Sequence, residues 1–198
     1  MSEPLTLVGP VGSRAARVLW LLEELGLPYT HILARPASDE ARAYNPSGKV
    51  PVLLVGATPL TDSTAILTFL SDRAQRFTCA AGSLERARQD GFTQLVLDEI
   101  EALLWTASRH SFVLPEDQRL PAIKPSLKWE FARNQARLAA RLGGAPFLMG
   151  DEMTVPDIIL THCLGWAASA SFPDPEPNLT AYAQRLRARP AYLRAMSK

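Results

Sequence analysis

The sequence predicts a mixed α/β domain followed by an all-helical domain, and three features of its 198 residues support this fold class. Residues 1–75 alternate short apolar runs with amphipathic helical patterns. Two long helical stretches, at 84–110 and 125–142, follow later in the chain. Residues 75–83 are small and polar enough to form a linker. We therefore predict one domain at 1–75 and an all-α domain at 84–198, a length that suffices for two joined lobes.

The first domain is predicted to order its elements as strand, helix, strand, helix, hairpin and helix. Strands are expected at 5–8, at 29–33, within the apolar run 48–55 and at 59–61, and helices at 13–25, 38–43 and 65–74. Gly26 and Pro28 follow the first helical pattern and predict its end, because glycine favours the left-handed turn after a helix and proline cannot continue one.

A proline interrupts the apolar run 48–55, which otherwise has the pattern of a buried strand. Pro51 has no N–H to donate to a neighbouring strand, so we expect it at the start of the strand. A trans peptide bond is the ordinary case, since only about 5–6% of X-Pro bonds in folded proteins are cis. A cis bond would leave the N–H and C=O of Val50 at an accessible edge, where an extended peptide can bind.

Asp62 and Ser63 follow a short strand and open a helical pattern. Ser63 is a suitable N-cap, and the first-turn N–H groups with the helix dipole can bind a carboxylate. Asp62 beside it can hold an ammonium group. The alternative is that Ser63 only caps the helix and Asp62 is a solvated turn residue.

The helical domain contains a second capping motif, Thr154-Val155-Pro156-Asp157, before an apolar run. Thr154 is predicted as the N-cap and Asp157 as its partner three residues later. We interpret this motif as structural. Short helices at 178–189 and 190–196 are expected to close the chain.

Composition argues against several functions. The three histidines, His31, His110 and His162, share no ligand spacing with the cysteines, so no metal site is expected. The net charge of +1 with scattered basic residues predicts no nucleic-acid partner. No run of 18 apolar residues is present, so no membrane span is predicted. Two cysteines without an evident pairing and no signal peptide favour a cytoplasmic location.

The motifs around Pro51 and Ser63 resemble those of the cytosolic glutathione transferase family. The segment 45–53 is similar to its N-P-x-G-x-V-P-x-L element, and 60–66 is similar to its L-x-E/D-S-x-A-I element. The resemblance spans nearly the whole chain. It implies the glutathione transferase fold, an N-terminal thioredoxin-like domain followed by an all-α domain, and it implies a homodimer.

The resemblance also implies how glutathione would be bound. Val50, next to a cis Pro51, would pair its backbone with the cysteinyl unit. Asp62 and Ser63 would hold the γ-glutamyl group, which carries both an ammonium and a carboxylate. Lys49 would face the glycine carboxylate as a point charge, or it is simply an exposed lysine. Asp62 stands where glutamate is commoner, and its shorter side chain reaches less far.

Ser13 lies at the junction between the first strand and the first helix. By position alone it is an N-cap candidate. The segment 13–26 resembles serine-type members of the family, in which a serine hydroxyl activates the glutathione thiol. A free thiol has a pKa of about 8.5, so a hydrogen bond and the helix dipole are needed to raise the thiolate fraction. Arg14 is a possible support for the negative charge, whereas Arg17 looks structural.

Other activation schemes fit the sequence less well. No tyrosine precedes Tyr29, which leaves out a tyrosine-type site, and Cys79 and Cys163 are far from the first loop. The resemblance therefore implies a glutathione transferase in which Ser13 activates the glutathione thiol for attack on a small hydrophobic electrophile or peroxide, with a role in detoxification. The electrophile is expected between the lobes. The alternatives are a non-catalytic binding or assembly protein with this fold and, less favoured, a glutathione-dependent disulfide reductase.

Overall fold

The computed structural model describes residues 3–198 and divides into two compact units. The first unit contains the residues up to Ala81 together with Arg187–Lys198, and the second contains Gly82–Leu186. The last segment of the chain therefore packs with the N-terminal part. Within the described residues, no helix is both long enough and apolar enough to cross a membrane.

The first unit is built on a four-stranded mixed sheet with the order β2-β1-β3-β4. The strands are β1 (Leu5–Val8), β2 (Thr30–Ile32), β3 (Val52–Val55) and β4 (Thr58–Thr61). β1 runs parallel to β2 and antiparallel to β3, and β3 runs antiparallel to β4. The predicted strands are confirmed, with ends that differ by one or two residues. Three of the four residue pairs between the central strands β1 and β3 are buried, and Thr6 and Leu54 are partly buried, which places the core on these two strands.

Three helices follow the strands of this unit: α1 (Ala15–Leu25), α2 (Asp39–Tyr44) and α3 (Ser63–Ala74). The Gly26 backbone is left-handed, with φ 66° and ψ 28°, which confirms the predicted end of α1. α2 begins after Ser38, whose side-chain oxygen accepts a hydrogen bond from the Ala41 N–H at 3.1 Å. Both boundaries follow from local sequence signals.

The second unit is helical. Its α-helices are α4 (Leu84–Leu95), α5 (Ala102–Ser108), α6 (Lys124–Leu142), α7 (Val155–Ser169) and α8 (Pro177–Arg187). π-helical turns at Val96–Glu101 and Arg109–Val113 continue the helical run on either side of α5. The predicted helices at 84–110 and 125–142 are confirmed, although the sequence pattern gave no sign of the wider turns.

The predicted capping motif of α7 is confirmed. The Asp157 carboxylate is fully buried and accepts hydrogen bonds from the Thr154 N–H at 2.8 Å and from the Leu148 N–H at 2.9 Å. The Tyr182 hydroxyl donates to the same carboxylate at 2.7 Å. Burial raises the pKa of Asp157, while these hydrogen bonds act in the opposite direction. The motif fixes the start of α7 within the second unit.

The last helix, α9 (Pro190–Met196), packs against α1 in the first unit. Arg189 donates two hydrogen bonds to the Glu24 carboxylate, one of them 2.8 Å long from Nη2. Arg194 Nε donates to the Glu23 carboxylate at 2.8 Å. The rings of Trp20 and Tyr192 meet edge to face, with centroids 5.0 Å apart. We refer to Arg189 and α9 together as the C-terminal clasp.

Candidate functional site

Ser13 lies in the turn that joins β1 to α1. Its hydroxyl donates to the Pro10 carbonyl at 2.7 Å and accepts from the Ala15 N–H at 3.1 Å. The formal N-cap of α1 is Arg14, which has helical backbone angles, so Ser13 is one residue further from the helix than expected. Ser13 still satisfies a first-turn N–H and therefore stands at the positive end of α1.

Open space adjoins Ser13. A Cβ placed on Gly12 would meet no other group within 4 Å. Gly9, at the other end of the loop, is enclosed: its φ is 132°, and an added Cβ would lie 3.0 Å from the Cβ atoms of both Ala15 and Val50. The loop can therefore approach Val50 only because residue 9 has no side chain.

Val50 presents its backbone rather than its side chain. The side chain packs against the buried cluster of Val8, Ala34, Ala41 and Val52. The Val50-Pro51 peptide bond is cis. Among residues 3–198, neither the N–H nor the C=O of Val50 has a hydrogen-bonding partner. This is the accessible peptide edge that the sequence allowed.

Lys49 is exposed, and its side chain has no acidic partner within the described part of the chain. Its backbone is held on both sides: the N–H donates to Ser47 Oγ at 3.3 Å, and the C=O accepts from Asn45 Nδ2 at 2.9 Å. The loop that carries Lys49 is therefore ordered, whereas the ammonium group extends into solvent.

Asp62, not Ser63, is the N-cap of α3, and the expected capping role of Ser63 was wrong. Asp62 Oδ1 accepts from the Thr64 N–H at 2.8 Å and from the Ala65 N–H at 3.2 Å. Its φ of 70° places the carboxylate over the helix end, and aspartate tolerates this region better than most residues. Within residues 3–198, no donor forms a hydrogen bond to Oδ2, so one carboxylate oxygen is available at an exposed position.

Ser63 is instead the first residue of α3 and is almost completely buried. Its hydroxyl oxygen accepts a hydrogen bond from Arg17 Nη1 at 3.3 Å. Arg17 belongs to the first turn of α1 and is 1% exposed. This bond joins the starts of α1 and α3, so the two positive helix ends lie close to each other.

The predicted residues of the first unit thus lie around one region. The Ser13 loop packs on Val50 through Gly9, and α1 contacts α3 through Arg17 and Ser63. Arg14 is half-buried at the start of α1. The link made by Arg17 was not predicted, because it depends on a residue 46 positions later in the chain.

The cysteines lie elsewhere. Cys79 is half-buried after α3, and Cys163 is buried in α7, where its Sγ lies 3.8 Å from Glu101 Oε2. Neither belongs to the loop that carries Ser13. Within residues 3–198, no group of three or more His, Cys, Asp or Glu side chains has an arrangement that could hold a metal ion.

Comparisons with known proteins show the family of this chain. Residues 12–73 match the family model of the glutathione S-transferase N-terminal domain, and residues 109–190 match that of the C-terminal domain. Glutathione S-transferase 4 of Zea mays is 28% identical over 197 aligned residues, covering 89% of this chain and 84% of the maize protein. These matches run through both structural units.

Two solved structures are similar over nearly the full length. The theta class glutathione S-transferase of Xanthomonas axonopodis pv. citri, determined with glutathione bound, is 29% identical, with a TM-score of 0.80 over 99% of this chain and 98% of that one. The bacterial glutathione S-transferase BphK is 26% identical, with a TM-score of 0.84 over 97% of this chain and 98% of that one. The fold is that of the glutathione transferases. The chain belongs to the glutathione S-transferase family and is a glutathione transferase enzyme in the general sense.

Proposed function

We propose that this enzyme binds glutathione in the first unit and uses the Ser13 hydroxyl to stabilise the thiolate for attack on a small hydrophobic electrophile or a peroxide. The observation that carries the proposal is the unpaired backbone of Val50 beside the Ser13 loop. An extended peptide can pair with that N–H and C=O as an added strand does. The similar Xanthomonas protein was determined with glutathione bound, which supports this ligand.

The two ends of the tripeptide would be recognised by charge. The free Oδ2 of Asp62 is suited to the γ-glutamyl ammonium, and the start of α3 at Ser63 is suited to the neighbouring carboxylate. Lys49 is suited to the glycine carboxylate because it is exposed and carries its ammonium group on a long, flexible side chain. These three contacts would fix the register of the peptide on Val50, and thus the position of its sulfur.

Ser13 would act by redirecting one hydrogen bond. Its proton now points at the Pro10 carbonyl, and rotation of the hydroxyl would point it at a thiolate sulfur near Gly12. The exchange trades a neutral hydrogen bond for a charge-assisted one, which is the stronger kind. The bond from the Ala15 N–H orients the Ser13 oxygen during this exchange. A thiol pKa lowered by about two units corresponds to about 2.7 kcal/mol of thiolate stabilisation.

The thiolate is the common starting point of several reactions. In conjugation, sulfur forms a bond to carbon and the leaving group departs with the bonding electrons. In addition to an activated alkene, the carbon next to the new bond takes up a proton. In peroxide reduction, sulfur attacks one oxygen, the O–O bond breaks and the other oxygen leaves as an alcohol after taking up a proton. A second glutathione thiol then converts the sulfenic acid to glutathione disulfide and releases water. We propose the enzyme for this set of substrates, acting in the cytoplasm as a homodimer, with domains at 1–75 and 84–198.

Replacement of Ser13 by Ala tests the proposal. For a pKa restored from about 6.5 to about 8.5, the thiolate fraction at pH 7 falls from about three quarters to about 3%. Turnover with a model electrophile is therefore expected to fall by at least about tenfold, with glutathione affinity nearly unchanged. Ser83→Ala is the matched control because Ser83 is also a helix-capping hydroxyl, which accepts from the Arg86 N–H. Unchanged turnover in Ser13→Ala would contradict the role of Ser13.

A further inference from the structure

A buried guanidinium lies directly behind the start of α3. Arg17 is 1% exposed and Ser63 is 2% exposed. Arg17 Nη1 donates a hydrogen bond to Ser63 Oγ over 3.3 Å. The sequence separation of 46 residues shows that this contact is tertiary and that it ties α1 to α3.

This contact decides which way the Ser63 hydroxyl points. A guanidinium has only donors, whereas a hydroxyl has one donor and two acceptor positions. The Ser63 oxygen must therefore accept from Arg17, and its own hydrogen is directed away from the guanidinium. In a serine that only capped a helix, the hydroxyl oxygen would accept a hydrogen bond from a helix N–H. Asp62 already accepts these hydrogen bonds in α3.

The Ser63 backbone adds a second donor. Its N–H is the first of α3, and within residues 3–198 it has no hydrogen-bond acceptor. The hydroxyl and the N–H of one residue can thus both donate to a single anion at the helix end. The Arg17 charge behind the oxygen strengthens both bonds, because charge interactions gain strength away from bulk water.

We infer that Arg17 is a positioning residue for the α-carboxylate of the γ-glutamyl group, acting through Ser63 and without touching the ligand. This inference rests on the function proposed above, in which glutathione binds at this end of α3. It assigns a role in recognition to a residue whose sequence position indicates only structure.

Two ligands measure this role. The first is S-methylglutathione, which cannot react. The second is its analogue in which a 4-aminobutanoyl group replaces the γ-glutamyl group. In this analogue a hydrogen atom replaces the α-carboxylate, and the ammonium group stays on the same carbon. Binding of both is measured by calorimetry to the wild type, Arg17→Met, Ser63→Ala and the double variant. The ratio of the two dissociation constants gives the preference for the carboxylate.

The wild type is expected to prefer S-methylglutathione. In Arg17→Met the preference is expected to fall by about tenfold, the effect of one charge-assisted hydrogen bond. Ser63→Ala is expected to lose a similar factor, and the double variant no more than Ser63→Ala alone. Arg73→Met is the matched control, since it removes an exposed cation from the far end of the same helix.

The outcomes separate this inference from the proposed function. If the wild type does not bind S-methylglutathione, the proposed function fails. If it binds with a clear preference that Arg17→Met keeps, the role of Arg17 is overturned while the proposed function stands. Circular dichroism checks that the variants fold. Should Arg17→Met be unfolded, Ser63→Ala decides, because a retained preference in that variant overturns the inference by itself.

Discussion

An aspartate binds backbone N–H groups at the start of both α3 and α7, but the two carboxylates have different surroundings. Asp62 is the N-cap of α3, and Asp157 lies three residues after the N-cap of α7. Asp157, at α7, is buried, and protein donors occupy both of its oxygens. Asp62, at α3, is exposed, and protein donors occupy only Oδ1. A carboxylate whose two oxygens are both bound by protein donors stabilises the fold, whereas a carboxylate with one unused oxygen in solvent can also bind a ligand.

Removal of the buried Asp157 carboxylate is expected to have the largest effect on stability. Asp157→Ala would leave the Leu148 N–H, the Thr154 N–H and the Tyr182 hydroxyl without their acceptor. Each buried unsatisfied group costs about 1–3 kcal/mol, so the free energy of unfolding is expected to fall by about 3–5 kcal/mol. Urea denaturation followed by circular dichroism measures the change.

The exposed neighbour Asp151 provides the control for that experiment. Asp151→Ala is expected to stay within about 0.5 kcal/mol of the wild type. A loss below about 1 kcal/mol in Asp157→Ala would show that the buried carboxylate is not the structural cap described above.

Neutralisation of the exposed carboxylate has the opposite profile. Asn caps helices about as well as Asp, so Asp62→Asn is expected to leave the free energy of unfolding within about 0.5 kcal/mol. The ammonium of the γ-glutamyl group loses its charged partner, and glutathione affinity is expected to fall by about tenfold. Calorimetric titration checks the affinity. Asp39→Asn, a matched exposed acid in the first turn of α2, should change neither quantity; an unchanged affinity in Asp62→Asn would argue against ligand binding by Asp62.

The Glu24 carboxylate is a third case, because its side chain is buried and forms an ion pair with Arg189 of the C-terminal clasp. Burial acts to raise the pKa of Glu24, but the hydrogen bonds from Arg189 and Trp20 outweigh it, and the pKa is lowered below 4.5. A lowered folded-state pKa means that the stabilisation is complete above about pH 4.5 and is lost as the pH falls through the folded-state value.

Glu24→Gln removes this titration. Arg189 is one-third exposed, so solvent screening limits the expected loss of stability at pH 7 to about 1 kcal/mol. The difference in stability between the wild type and Glu24→Gln is expected to shrink as the pH is lowered from 6 to 3. Urea denaturation over this pH range measures it, and a difference that stays constant or grows toward acid would contradict the role of the Glu24–Arg189 pair.

Local signals in the sequence predicted the elements of the fold well. The capping motif of α7 was predictable because Thr154 and Asp157 are three residues apart on one turn. At α3, Asp62 and Ser63 are adjacent and both favour the N-cap position, so propensity does not choose between them. In the folded chain Asp62, with a φ of 70°, occupies the N-cap position.

Features that depend on distant partners were not predictable. The burial of Arg17 depends on Ser63, which lies on another helix. The packing of 187–198 on α1 depends on Glu23 and Glu24, more than 160 residues earlier. The π-helical turns on either side of α5 keep an apolar periodicity close to that of an α-helix, so the pattern does not reveal them. Candidate ligand contacts at Lys49 and Val50 came from motif resemblance, not from periodicity.

The most direct test of the account is an ultraviolet titration of glutathione bound to the purified protein, which follows thiolate absorbance from pH 5 to 9. If Ser13 activates the thiol, the pKa of the bound thiol is expected about two units below the free value of about 8.5, and it is expected to return toward the free value in Ser13→Ala. Binding with an unshifted pKa, or no binding, would contradict thiol activation by Ser13 and would favour a non-catalytic role for this fold.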